Sequence, residues 1–409
     1  MKHNALETLE SNNEYFIKGF SEKNKEPEWM LNKRLEAYHF FKESQMPNFI
    51  YGLDISLNAD LSLDALDIKK PKSEIKIKNA NKDVIIADYK EMLKNYESVL
   101  REKFMKIAKA NGKFTYFHNA FFNNLVFVYV PKNVDAKEAI EVSTTSHDAA
   151  FDHLIILTED NAQVKLVENY ESKTFNKNGD KKDDKNGYAS KIVEIFAGNS
   201  SKIDYGNVQL LNENTANFTI KKAIIGKNSL INWIDCCFGS RITMSEVTTI
   251  LNGDNAATNN YGIFFGNKSQ QFDLVANSIH NAPHTTSDIL TKGALSGSSK
   301  CVYRGLVKIN QNAFGSNGYQ KEDTLLLSNN AVADSIPNLE IDNNDVRCTH
   351  GASIGRIDKE KLFYMRSRGL NEKQATKEYV RGFFEPLIQK IQIKNLREKM
   401  NGMIEKRME

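Results

Sequence analysis

The sequence predicts a mainly β chain, with a parallel β-solenoid core and helical segments at both ends. Three observations carry this. From Leu154 to about Gly355, short β-type runs follow one another with almost no helical period. Small turn residues precede alternating strands at EDNAQVKLVE, GNSSKIDYGNVQ, GKNSLINWID, GDNAATNNYG, GSSKCVYRGLV and SNNAVADSIP, several of them roughly 27–31 residues apart. Helical periodicity is confined to the two flanks. A coil of this length cannot close its own core, so stacked neighbours must bury its inward side chains.

Taken in order, residues 1–122 read as a helical domain. Pro27 in KEPEWMLNKRLEAYHFF suits the first turn of a helix, where its missing N–H costs nothing. Leu31, Leu35, Tyr38 and Phe41 then form one apolar face. The run DYKEMLKNYESVLREKFMKIAKANGKF repeats the pattern with Met92, Tyr96, Leu100, Phe104 and Ile107, and Gly112 is the expected stop. LVFVYVP opens the β region, 123–355, in which one repeat spacing is doubled or interrupted. Residues 172–188 are dense in Lys, Asp, Asn and Gly and predict an exposed insertion between two coils.

The helical period returns in 356–409. Asn371 and Gln374 make a capping-box pair, and Ala375, Tyr379, Val380, Phe383 and Phe384 build an apolar stripe. Pro386 predicts an interruption and a second helix bearing Leu387, Ile388 and Ile391. The polar remainder, LREKMNGMIEKRME, is expected to fray.

Composition excludes several function classes. Charged residues are 26% of the 409 and the formal net charge is +3, so no bias towards nucleic acid is visible. No stretch approaches the roughly 20 apolar residues of a membrane helix, and MKHNALETLESNNEYF lacks a secretory layout. A cytoplasmic chain without membrane or nucleic-acid partners is expected. The four cysteines are too few and irregular for a disulfide framework, and no CxxC occurs. Adjacent Cys236 and Cys237 would point to opposite faces of a strand, as packing residues. No GxxxxGK[ST] loop is present, so the chain is not expected to hydrolyse ATP or to be an enzyme on its own.

The most informative run is DVRCTHGASIGRIDKEKLFYMRSRGL, residues 345–370. Strand alternation puts Val346, Cys348 and His350 on one side. A thiolate and an imidazole together suit iron or another thiophilic metal. Two ligands make half a site, so the rest must come from elsewhere, such as a second subunit. Cys348 as core filler and His350 as a hydrogen-bonded structural residue stay open. His284, Arg304 and Asp288 invite a β-helical carbohydrate-active enzyme instead. No carboxylates at rung spacing support that reading; His284 reads as a turn or stacking residue and Arg304 as a partner of a neighbouring coil.

The D-V-x-C-x-H-G-A-x-x-G-x-I-D pattern resembles the signature of the SufB/SufD family, scaffolds of SUF iron–sulfur cluster assembly, and its SufD branch in particular. HNAPHTTSDILTKGALSGSSKCVYRGLVKI, LLLSNNAVADSIPNLEI, FVYVPKNV and EPEWMLNKRLEA are similar to further blocks of the family, spread over residues 26–385. The resemblance implies a right-handed β-helix and a non-enzymatic scaffold. It also implies pairing with a SufB-type subunit, or with a second copy of itself, edge to edge. The nascent cluster would form at that junction, with His350 as ligand. SufB-type chains carry a cysteine where Glu322 stands here, and His-Glu-Ala-Thr where this chain has His-Gly-Ala-Ser. Both departures argue against the SufB subunit, while Glu322 could still bind iron weakly. The candidate metal residues are therefore His350, Cys348 and Glu322, for a transient cluster. The family's C-terminal helices bind the ABC-type ATPase SufC, which nominates Tyr379, Phe383, Phe384 and Leu387 as partner contacts; capping of the last coil by the same stripe is the alternative.

Overall fold

The structure, a computed structural model, describes residues 2–45, 73–109, 112–146, 149–172 and 187–408. The expected 172–188 insertion falls almost wholly outside them, although Gly187 and Tyr188 already belong to a strand and Tyr188 is buried.

The chain begins with helices α1 (Lys2–Lys23) and α2 (Glu28–Glu43). Pro27 caps α2 in extended conformation, and Met30, Ala37, Tyr38 and Phe41 are its buried face. Strands β1 (Ser73–Lys78) and β2 (Ile85–Asp88) follow, so the first 122 residues are not wholly helical. The second helical run is broken where one helix was expected. It forms α3 (Tyr89–Asn95) and α4 (Glu97–Lys103), hinged at Tyr96. Gly112 starts a helix rather than ending one, as the N-cap of α5 (Lys113–Phe121).

Eight strand pairs then stack into a solenoid: β3 (Asn124–Val130) with β4 (Asp135–Ser146), and β5 (Ala149–Thr158) with β6 (Gln163–Ser172). The middle coils are β7 (Gly187–Ala197) with β8 (Lys202–Leu210), β9 (Thr215–Ile225) with β10 (Leu230–Cys237), and β11 (Ile242–Leu251) with β12 (Ala257–Gly266). The last three are β13 (Gln271–His280) with β14 (Thr286–Leu295), β15 (Lys300–Ile309) with β16 (Asn317–Leu326), and β17 (Val332–Ile341) with β18 (Arg347–Arg356). Even-numbered strands from β4 form parallel sheet A, to which β1 adds antiparallel. Odd-numbered strands from β3 form sheet B, closed at one edge by antiparallel β2. Register steps run from 26 residues (Ala216 to Ile242) to 32 (Lys300 to Val332). The interrupted spacing is the 39-residue step from Gln163 to Lys202, lengthened by the β6–β7 connection.

Alternate residues fill the cylinder. Ile231, Trp233 and Val247 are among those inside, and no shared layer of helices is needed. Coil corners use left-handed residues, Asn133, Asn161, Asn228 and Asn255 among them, the side chain that tolerates that conformation best after glycine. Inward space is tightly allotted. A Cβ at Gly293 would overlap the Phe264 ring of the coil beneath. We expect Gly293→Val to lower stability by about 3 kcal/mol in thermal denaturation, the upper range of overpacking costs.

Both outer faces are covered. The N-terminal helices lie on sheet B, where Phe114 stacks on Phe218 at 3.8 Å between ring centroids. Helix α6 (Lys359–Ser367) leaves the last coil, and α7 (Glu372–Ile388) and α8 (Lys394–Arg407) fold back over sheet A. The Asn371–Gln374 capping box forms as expected. Pro386 does not start a helix; α7 continues through it for its last turn. The Pro386 ring faces the carbonyl four residues earlier, at Gly382, so the lost bond falls where the ladder is ending anyway. The tail does not fray either. Leu396, Met400 and Ile404, four apart, are buried on α8, and Leu396 seats where Gly206 of β8 has no side chain. The α7 stripe covers the flank of the solenoid rather than capping its last coil.

Candidate functional site

The last coil is unlike the rest. Strands β7 to β16 are buried along most of their lengths, but every residue of β18 is exposed or only half-buried, and so is every residue of β17. Nothing among the described residues covers this end of the cylinder.

Register fixes what the end presents. On β16, Gly318, Gln320, Glu322 and Thr324 face inward and are buried. Cys348 stacks on Gly318, His350 on Gln320 and Ala352 on Glu322. Cys348, His350 and Ala352 therefore continue the inward column as its last, uncovered rung. The Cys348 thiol lies over Gly318 and packs with Val307 and Leu339, half-buried, and burial raises its pKa. The His350 ring is exposed.

Beneath them, Glu322 is 1% exposed and Gln320 0%. Glu322 accepts a hydrogen bond from the Thr324 hydroxyl, while its Oε2 has no partner. Burial pushes its pKa up to about 7, opposed by the Thr324 hydrogen bond and the nearby Ser335 hydroxyl, with a small further push from Asp323. Neither amide atom of Gln320 has a partner, and its side chain reaches across to Gly305, where a Cβ would overlap it. Gln320 escaped the sequence reading, although inward parity with Glu322 two residues on was visible.

The structure thus places Cys348, His350 and Glu322 in one column at one end. They do not form a closed set: among the described residues no three His, Cys, Asp or Glu side chains are grouped as metal ligands. The other cysteines lie apart. Cys236 faces out beneath α7 and α8, Cys237 and Cys301 face in, and burial raises all three thiols.

The residues that suggested an enzyme have structural duties. His284 sits at a coil corner with φ of 57° and meets Phe314 edge-on at 5.2 Å. Arg304 pairs with Asp273 of the preceding coil, and Asp288 takes Lys390 at 3.0 Å, pinning the end of α7.

Of the four partner candidates on α7, Phe384 and Leu387 are fully buried against sheet A, with Phe384 stacked on Phe265. Tyr379 and Phe383 are half-buried, Phe383 beneath the Lys292 ammonium. The unsatisfied apolar surface is instead on α6, which has no buried residue and exposes Phe363 by 73% and Tyr364 by 59%. A groove of about 780 Å³ runs beside it, lined by Leu327, Ile357, Leu362, Phe363 and Arg366 among others. No helix among the described residues is long and apolar enough to cross a membrane.

Residues 141–383 match the family profile described as SUF system FeS cluster assembly, SufBD core domain, which is more than half of the chain. Similar curated proteins include an iron–sulfur cluster assembly SufBD family protein of Staphylococcus saprophyticus, 27% identical over 97% of this chain and 93% of that one. The counterpart from Staphylococcus haemolyticus is 28% identical, and that from Staphylococcus aureus strain USA300 is 27% identical, over the same shares.

Proposed function

This chain belongs to the SufBD family of iron–sulfur cluster assembly proteins, and we propose that it is a SufD-like scaffold whose uncovered coil end forms half of a cluster-building junction. Family membership sets aside the β-helical carbohydrate-active enzyme. The observation that carries the reading is the inward rung Cys348–His350 on a terminal coil with no cover. Parallel β strands present unpaired N–H and C=O groups along a free edge, and such edges are normally blunted or paired. β17 and β18 carry half-buried and exposed apolar residues beside those edges, Val332, Ile341 and Ile354 among them. A second solenoid abutting this end would cover both. It would also bring further ligands to Cys348 and His350, which the described residues do not supply.

The partner at the junction is a SufB-type subunit contributing the thiolate. Glu322 in place of the SufB cysteine is the reason to prefer that pairing to a homodimer using Glu322, Cys348 and His350. The cluster is cargo, held transiently and passed on. The ABC-type ATPase SufC docks on the C-terminal helices, and the exposed face of α6 is a better contact than the α7 stripe, half of which is spent on sheet A. ATP hydrolysis belongs to that subunit, in the cytoplasm.

The test is His350→Ala in the complex with a SufB-type chain and SufC, followed by anaerobic reconstitution monitored through cluster absorbance. We expect at least a tenfold loss of yield, about 1.4 kcal/mol or more of lost stabilisation. Since the ring is exposed, folding should be unaffected. An undiminished yield removes His350 from the junction.

A further inference from the structure

The floor of the open end contains groups that the scaffold reading does not use. Gln320 and Glu322 are consecutive inward residues of β16, and three of their polar atoms have no partner: both amide atoms of Gln320 and Oε2 of Glu322. Elsewhere in the cylinder, charged inward groups are satisfied. Glu168 is met by Lys191 and Tyr205, and Asp235 by Lys221 at 3.0 Å, Ser245 at 2.7 Å and Asn207 at 3.0 Å. An orphaned buried polar atom costs about 1–3 kcal/mol, so three on one rung mark a position built for a ligand.

The sign of that ligand follows from the surroundings. Among the inward-facing residues of β14 to β18 the one cationic side chain is Arg356, at the far end of β18 and bonded to Asn329, so no described Lys or Arg balances the Glu322 carboxylate. The reachable donors are a carboxylate oxygen, an amide oxygen and, one rung above Gln320, the His350 imidazole. Oxygen and imidazole nitrogen donors suit a borderline-hard divalent ion of the ferrous or manganous type. Gly305 leaves room for the Gln320 amide to swing its oxygen towards that space.

Resting on the scaffold reading, we propose that Gln320, Glu322 and His350 form a landing site for a single divalent metal ion, separate from thiolate capture of a cluster. The ion exchanges some of its waters for Glu322 Oε2, Gln320 Oε1 and a His350 ring nitrogen and keeps the others. No electron moves and no bond within the protein breaks. Iron could then be held at the junction before sulfur arrives, one rung beneath the rim.

The experiment is equilibrium binding of Mn²⁺ to the purified full chain, read by loss of the free-ion electron paramagnetic resonance signal. One ion per chain is expected to bind saturably. Glu322→Gln and Gln320→Leu should each weaken it at least about tenfold. Gln320→Leu removes two orphaned polar atoms and Glu322→Gln exchanges a buried carboxylate for a neutral amide, so both should melt no lower than the parent in metal-free buffer, which shows that the fold survives. Absence of saturable binding up to about 1 mM Mn²⁺, or binding indifferent to both substitutions, overturns the site. If His350→Ala abolishes reconstitution while Mn²⁺ ignores Glu322 and Gln320, the scaffold reading stands and the landing site falls. If Mn²⁺ binding follows the prediction while reconstitution ignores His350, the cluster junction falls and the ion site stands.

Discussion

Glu194→Ala should destabilise the protein by about 4 kcal/mol and release the N-terminal helices from the solenoid. Glu194 projects from the outer face of β7 and is fully buried. Its oxygens accept the backbone N–H groups of Met105 (2.6 Å), Ile107 (2.8 Å) and Ala108 (3.0 Å), where the chain turns after α4, and His153 Nε2 at 3.1 Å. Alanine would strand three main-chain donors and an imidazole in an apolar interface, each worth about 1–3 kcal/mol unpaired. Partial relaxation brings the sum towards the 3–5 kcal/mol seen when one member of a buried charged set is removed. Urea unfolding gives the magnitude, and hydrogen exchange at residues 105–108 shows where it acts. A change below about 1 kcal/mol would mean that this carboxylate does not hold the domain.

Stability should also fall on mild acidification, by about 1.4 kcal/mol per pH unit below pH 6.5. His118 is enclosed on both sides: its Nε2 lies 3.4 Å from His153 Nδ1 and its Nδ1 lies 2.9 Å from the Ser190 hydroxyl. Burial, then the neighbouring His153, then Arg34 hold the His118 pKa well below 6.5. Burial lowers His280, held between the Thr285 and Ser287 hydroxyls, to about 4. Below pH 6.5 the unfolded chain protonates both histidines and the folded chain does not, so each subtracts stability as pH falls. Glu322 works the other way. Its folded pKa of about 7 exceeds the unfolded value of 4.5, so between those limits the folded state holds the extra proton and gains on acidification. Two losses against one gain leave a net slope of one proton between about pH 4.5 and 6.5. Denaturant titrations at pH 7, 6 and 5 measure it. Glu322→Gln should roughly double the slope by removing the opposing group; an unchanged slope would contradict this assignment.

Much of the solenoid was legible because its signal repeats. Turn residues at corners and alternating strands recur, and the single long step coincides with the Lys/Asp/Asn/Gly-rich run. The last-coil rung was legible too, since strand parity alone put Cys348 and His350 together. What escaped were elements whose character depends on tertiary contacts. KFTYFHNAFF forms α5 despite its aromatics because Phe114, Phe117 and Phe121 bury into sheet B, and packing outweighs their modest helix propensity. Tyr96 breaks a helix that periodicity alone would have continued. The three buried apolar residues of α8 are spread among charges, and only the floor at Gly206 makes them a face. Gln320 was invisible because a lone glutamine in a strand says nothing until its lack of partners is known.

The return of α7 and α8 over sheet A has a consequence for biogenesis. As the chain leaves the ribosome, coils stack from β3 onward, but the outward Ile234, Cys236 and Phe265 stay bare until residues 372–407 emerge. The growing cylinder therefore carries a sticky flank throughout its own synthesis, shielded only at the finish. Chains stalled or clipped before α7 would be the species that chaperones and proteases must catch.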